Sequence, residues 1–373
     1  MLEVRGLEDV VAAESSICYI DGARGILSYR GIDIHELAQK STFEEVCFLL
    51  WEGRLPRREE LEATREEIGA ERAVPRELLG LVASLSRTSS PMDALRTAVS
   101  ALAASDPDAS GMSREANRRK AVRLTGQVGT IVAAFHRLRQ GQAVVPPDPG
   151  RTQADDFLRM LNGETARSAA VRAFDTALIL HADHELNAST FAARVTAATL
   201  SDMHSAVTSA IGTLKGPLHG GANEGVLRML REMGSLERVD DDLHARLARK
   251  EKIMGFGHRV YTTEDPRATH LRRMSQEVAE SSGETRLYDM SRRIEKIMNE
   301  EKKLNANVDF YSASVYAMLG ISPDLFTPIF AVSRIAGWTA HVMEQYSDNR
   351  LIRPRAEYTG PPYPQPYVPL EAR

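Results

Sequence analysis

The helical spacing of the apolar residues is what most limits the folds open to this chain. In STFEEVCFLLWEG (41–53), Phe43, Val46, Cys47 and Leu50 recur at i, i+3, i+4 and i+7, one face of a helix. Ser41 and Glu44 have the spacing of a capping box, and Gly53 supplies the stop. Ser90-Pro91 predicts a second helix with proline at its first position, and a third is expected over 114–140, ending at Gly141. Residues 165–214 are rich in Ala, Ser and Thr and are interrupted near 183–187, which suits closely packed helices. Charged helices are expected at 240–250, 268–282 and 285–303, then an apolar one at 328–345 before a proline-rich, extended tail. GQAVVPPDPG (141–150) reads as a surface loop. Only ICYIDGARGILSYRG reads as strand, two short runs around Asp21-Gly22 and Gly25. With no alternation of strands and helices and no fixed repeat, the expected fold is all-α with a small N-terminal β-hairpin.

At 373 residues the chain exceeds the roughly 250–300 at which a single core stops growing, so two lobes are expected. It is 43% apolar and 26% charged with a net charge of −4, which gives no electrostatic case for nucleic acid or an anionic membrane. The two cysteines, Cys18 and Cys47, read as reduced core residues rather than a disulfide. MLEVRGLEDVV is acidic and lacks the features of a signal peptide, and no run approaches the roughly 20 apolar residues of a membrane span. These features point to a cytoplasmic protein.

Four segments concentrate His, Asp, Asn and Gly outside the helical pattern. HADHELNAS carries His181, Asp183, His184, Glu185 and Asn187. Its spacing resembles a metal cluster without being the HExxH motif, and a polar network at a helix end explains it equally well. In LKGPLHGGANEGV, glycines bracket His219, and Asn223 is placed to cap the next helix. A histidine beside the positive end of a helix resists protonation and can donate, while neutral, to a carbonyl. The alternative is a glycine-rich helix start with an incidental histidine. GFGHRVYTTEDPR (255–267) frees the backbone around His258 with two glycines and fixes its far end with Asp265-Pro266-Arg267. It is either a flexible turn or a place where backbone and imidazole approach a small ligand. In NANVDFYSASVY, Asp309 in apolar company should have a raised pKa and act as a base near neutrality, unless it merely caps the next helix. Taken together, two neutral donors and a carboxylate base suit enolisation beside a carbonyl. Arg267, Arg334 and Arg353 suit a substrate with several carboxylates, which guanidinium binds bidentately.

At these residues the sequence resembles the citrate synthase family. GFGHRVYTTEDPR is similar to the family signature. KGPLHGGAN, HADHELNAS and NVDFYS are similar to its other blocks in the same order, and GILSYRGIDIHELAQKSTFEEVCFLLWEG looks like its opening region. The resemblance covers essentially the whole chain. It implies a large helical domain from 1–220 and 321–373 and a small domain, 221–320, that closes over it. It also implies condensation of acetyl-CoA with oxaloacetate, then hydrolysis of citryl-CoA to citrate and CoA. Asp309 would take a methyl proton while His219 hydrogen-bonds the thioester oxygen, and His258 would polarise and protonate the ketone. His184, Arg267 and Arg334 would hold carboxylates, with Arg353 reaching in from the neighbouring subunit of a homodimer. No permanently bound cofactor or metal is implied, acetyl-CoA being a co-substrate.

Two departures from the family pattern matter. Thr262 stands where many relatives carry a basic residue near the coenzyme, leaving Lys252, Arg259 and Lys302 to compensate. Asn305-Ala306 stands where Tyr-Pro is frequent, so the loop before Asp309 is expected to be less rigid. The rival readings are 2-methylcitrate synthase using propionyl-CoA, a metal-dependent hydrolase built on residues 181–185, and a catalytically inactive helical scaffold.

Overall fold

The computed structural model describes residues 5–7 and 10–373; residues 1–4 and 8–9 of the acidic N-terminal stretch lie outside it. Sixteen α-helices and one three-stranded antiparallel sheet are the main regular elements of the described residues. The expected hairpin is present as Cys18–Asp21 and Ile26–Tyr29, and a short third strand, Ile32–Asp33, pairs with the second.

Helix Phe43–Glu52 ends at Gly53 with φ +78, the left-handed stop that glycine accommodates. Its start differs from the expected capping box. Thr42 is the N-cap and accepts the Glu45 N–H, whereas Ser41 closes a preceding helix, Ile34–Lys40. Glu44 is turned inward, where it accepts the Gln153 N–H. Two adjacent hydroxyl residues made the cap ambiguous, and the short helix before it fixed the register. Ser90 and Pro91 start helix Pro91–Leu102, and the third helix spans Arg114–Arg139.

The small-residue region forms Ser168–His181, Ala188–Ala197 and Met203–Leu214, the last two packed on each other. Phe326–Ser347 runs through the core against all three, and against Phe43–Glu52 and Arg114–Arg139. Its apolar residues are buried all round, including the fully buried Trp338. The charged region gives Ala222–Met233, Val239–Ala248, Pro266–Ser282, Arg286–Ile297 and Val308–Met318, which pack chiefly on one another. Pro266–Ser282 also reaches Ser168–His181 and Ile34–Lys40. Beyond Ser347 the chain is non-helical and exposed until a last short turn, Leu370–Ala372. No described helix is long and apolar enough to cross a membrane, and both cysteines are free thiols.

Candidate active site

The glycines around His258 have a structural explanation. Gly255 and Gly257 adopt φ +84 and +78, values that side chains resist. A Cβ at Gly255 would lie 2.8 Å from Phe310 and Val226. This backbone pairs with the loop before Asp309: Gly257 N–H donates to Asn305 O at 3.1 Å and Asn307 N–H to Gly255 O at 2.9 Å. Asn307 also donates from its side chain to Gly257 O at 2.9 Å. These rungs counter the rigidity expected to be lost at Asn305-Ala306. Asn307, not Asp309, is the helix N-cap, and it accepts the Asp309 N–H. Asp309 therefore keeps its carboxylate free, with no hydrogen-bond donor among the described residues. Burial raises its pKa to about 6 against the opposing pull of Arg267.

Both glycine-bracketed histidines are neutral at pH 7, and their tautomers are fixed. His258 Nδ1 accepts the N–H groups of Val260 and Tyr261 at 3.0 and 3.2 Å, so its proton sits on Nε2. His219 Nε2 accepts the Ser189 N–H at 3.3 Å, with the Ser189 hydroxyl 2.9 Å away, so its proton sits on Nδ1. Burial lowers both pKa values to about 4, helped by Arg334 at His219 and by Arg267 at His258. His219 precedes helix Ala222–Met233 as expected, but the N-cap is Gly221 and not Asn223, which lies inside the first turn. The Ser189 hydroxyl is itself placed by Asn187 Oδ1 and Trp338 Nε1, at 2.7 and 3.1 Å.

Three candidate carboxylate ligands gather here. His184 is buried, with its ring 5.5 Å from that of His258 and its Nε2 3.2 Å from the Tyr261 hydroxyl. Burial and then Arg267 hold it well below the usual histidine range. Arg267 is engaged along one edge: Nε and Nη2 each lie 2.9 Å from an Asp265 oxygen. That pairing overcomes the effect of burial and raises the Arg267 pKa. Asp265 also accepts the Val308 N–H at 3.1 Å, tying this arginine to the start of the Asp309 helix. The whole Arg267 fork is thus not open to a substrate; Nη1 remains. Arg334 differs. Only its Nε is bonded, to His181 O at 2.7 Å, and its guanidinium lies 4.6 Å from the Phe330 ring centre. Burial lowers its pKa to about 10, with Asp183 opposing. A fully buried cation with both terminal nitrogens free of hydrogen bonds among the described residues is a receptor for an anion.

The remaining candidates lie outside this cluster. Arg353 is exposed and borders a groove of about 980 Å³ with Arg194, Glu344 and the N-terminal segment. Lys252, Arg259 and Lys302 are exposed, without a carboxylate partner among the described residues. Thr262 is exposed, and its N–H reaches Gly22 O at 3.0 Å. In the 181–185 segment, His181 Nδ1 bonds Ala177 O, and no group of three His, Cys, Asp or Glu among the described residues is arranged to hold a metal ion. The roles of Ser189, Tyr261, Asp265, Phe330 and Trp338 escaped the sequence. The available signals were that Phe330 precedes Arg334 by one helical turn, that Tyr261 and Asp265 lie within the His258 segment, and that Ser189 ends the His184 block.

A base poised near neutrality, two neutral donors and a buried receptor for carboxylate are what an enzyme needs to form a carbon–carbon bond beside a carbonyl of an anionic substrate. The family model "Citrate synthase, C-terminal domain" matches residues 6–355, and the chain belongs to the citrate synthase family. It is 55% identical to citrate synthase 2 of Bacillus subtilis (strain 168) over the full length of both chains. A protein of the same bacterium named citrate/2-methylcitrate synthase is 42% identical, over 96% of this chain and 95% of that one. Among solved structures, citrate synthase from Pyrobaculum aerophilum matches with a TM-score of 0.92 and 41% identity, over 99% of this chain and 95% of that one. Citrate synthase from Thermoplasma acidophilum, in a ternary complex with carboxymethyl coenzyme A and oxaloacetate, also gives 0.92, at 34% identity over 99% and 98%. The expected all-α fold and activity are thereby borne out: this is an enzyme that condenses acetyl-CoA with oxaloacetate.

Proposed function

We propose that Arg334, the free edge of Arg267 and His184 hold the oxaloacetate carboxylates, and that Arg353 completes the set from the neighbouring subunit of a homodimer. Asp309 then removes a methyl proton from acetyl-CoA while His219 Nδ1–H donates to the thioester oxygen, giving an enol or enolate. The new carbon–carbon bond forms at the oxaloacetate carbonyl carbon. The Nε2–H of His258 polarises the ketone and delivers its proton to the oxygen as charge develops there. Water then hydrolyses citryl-CoA, releasing citrate and CoA. What supports this reading above all is the buried Arg334 guanidinium with its unbonded terminal nitrogens, beside a carboxyl tuned to about pH 6. Each acid–base group supplies about 10²–10⁴-fold, and the rest comes from positioning in a site that excludes water.

Asp309, His258 and Arg267 belong to 221–320, whereas His184, His219 and Arg334 belong to the rest of the chain. Closure of a small domain, 221–320, over the remainder would therefore assemble the site. Lys252, Arg259 and Lys302 are offered to the coenzyme phosphates. The enzyme acts in the cytoplasm, a reading its unpaired thiols favour, and it uses acetyl-CoA as a co-substrate with no permanently bound cofactor. Acetyl-CoA is favoured over propionyl-CoA by the nearer relative. Comparing kcat/KM for the two thioesters, by release of CoA thiol with oxaloacetate, tests this. A clear excess for acetyl-CoA is expected, of the about 1–3 kcal/mol that one methylene is worth. An excess for propionyl-CoA would make the enzyme a 2-methylcitrate synthase.

A further inference from the structure

The loop that carries His184 is joined to the end of the last long helix by buried polar groups that the mechanism above does not use. Asp183 is fully buried and accepts the Glu185 N–H at 3.1 Å. That contact holds Glu185 at φ +53, a left-handed conformation that side chains disfavour. The loop lies directly on helix Phe326–Ser347: Gly337 N–H donates to Ala182 O at 3.1 Å, and a Cβ at Gly337 would be 2.4 Å from Asp183 Oδ1. His341, also fully buried, stands between Asp183 and Arg194. Its Nε2 is 3.2 Å from one Asp183 oxygen and 3.3 Å from the other, and its Nδ1 is 3.1 Å from Arg194 Nη1. A guanidinium only donates, so Nδ1 accepts and the imidazole proton sits on Nε2, facing Asp183. Arg194 is held in turn by Glu344 at 2.7 Å and Gln345 at 3.1 Å, and Glu344 accepts the Ser16 N–H at 2.8 Å.

We propose that His341 is a positioning residue for oxaloacetate, acting by holding Asp183 away from Arg334. Asp183 is the foremost carboxylate acting on the Arg334 charge, yet the two make no salt bridge. Three groups restrain that carboxylate, the Glu185 N–H, the His341 Nε2–H and the Cys18 thiol, and of these the imidazole is the one that touches both oxygens. Without the imidazole, Asp183 is free to turn onto the Arg334 guanidinium. The receptor for the substrate carboxylate would then be satisfied from within the protein. The same movement would release the turn at Glu185 and displace His184. This inference rests on the reading that Arg334 and His184 hold oxaloacetate.

Its test uses the whole enzyme, with oxaloacetate binding by calorimetry and steady-state kinetics for both substrates. His341→Leu removes the donor, whereas His341→Gln retains an N–H at the Nε2 position. His341→Leu should weaken oxaloacetate binding and raise its KM ten- to a hundredfold, with the KM for acetyl-CoA within about threefold of wild type. His341→Gln should recover most of the loss, and so should Asp183→Asn added to His341→Leu, because a neutral amide does not quench Arg334. Should the leucine variant fail to fold, His341→Asn, too short to reach Asp183, takes its place. Unchanged oxaloacetate affinity in the folded variant overturns the proposal, as does equal damage to both substrates or no recovery with glutamine. His184→Ala is measured in parallel. If it weakens oxaloacetate while His341→Leu does not, only this inference fails. If His184→Ala binds normally, the assignment of the site falls and this inference with it.

Discussion

Asp309 shows how a single side chain acquires its chemistry from what surrounds it. Asn307 takes over the cap, so the carboxylate of Asp309 is left without donors, and burial lifts its pKa to about 6. Two consequences follow, of opposite sense. The base must be ionised to work, so kcat/KM should fall below about pH 6, and a profile flat to pH 4 would remove Asp309 from that role. The folded-state pKa lies above the ordinary aspartate value, so the folded protein retains a proton there that the unfolded chain has released. Stability is therefore lost as pH rises through this window. Asp309→Asn should cut kcat by about 10²–10⁴-fold yet melt higher than wild type at pH 8, the difference vanishing below pH 4. An inactive variant that melts lower at pH 8 would contradict the burial account. At this scale the sequence was legible where a residue type is rare in its setting: His219, His258, Asp309 and Arg334 all stood out. Ser189, Tyr261 and Phe330 did not, because their meaning lies in contacts across the fold that no local pattern encodes.

Among elements, the two left-handed glycines and the loop before Asp309 behave as one unit. The bridge between Phe256 and Ala306, with the backbone bonds beside it, sets the spacing between His258 and Asp309. The two glycines differ in what they tolerate. Gly255→Ala meets both a left-handed φ and the fully buried Phe310, so it should cost about 2–4 kcal/mol in denaturant unfolding and depress kcat. Gly257→Ala has open space around it and should cost only about 1 kcal/mol. Equal losses would mean that conformation alone, not the close approach to Phe310, demands Gly255. Helix positions were read well wherever proline, glycine or a clear period marked them, as at Ser90-Pro91, Gly53 and 114–139. The short helix Ile34–Lys40 and the third strand were missed because each is too brief to show a period, and their stability comes from packing.

For the whole molecule, the reading that most needs a partner concerns Arg353, which is exposed and apart from His184, Arg267 and Arg334 within its own chain. If it serves the neighbouring subunit, two inactive variants should complement each other. Subunit exchange between Arg353→Ala and Asp309→Asn would leave half the dimers mixed with one intact site each, restoring about a quarter of wild-type activity. No recovery after verified exchange would place Arg353 in its own site or outside catalysis. Two lobes were expected from length and from the family resemblance, but the seam between the hairpin and the His258 segment was not legible, since it depends on how the two meet. There the Thr262 N–H reaches Gly22 O, and a Cβ at Gly22 would fall 1.9 Å from Val260 O. On one side the contact is made by the Thr262 N–H and hydroxyl, both directed at Gly22 O, and on the other by an absent side chain. The backbone rung survives any residue but proline at position 262, whereas the second contact needs a hydroxyl there. Position 22 enjoys no such freedom, and its tolerance to substitution is the more sensitive record of whether the seam must form.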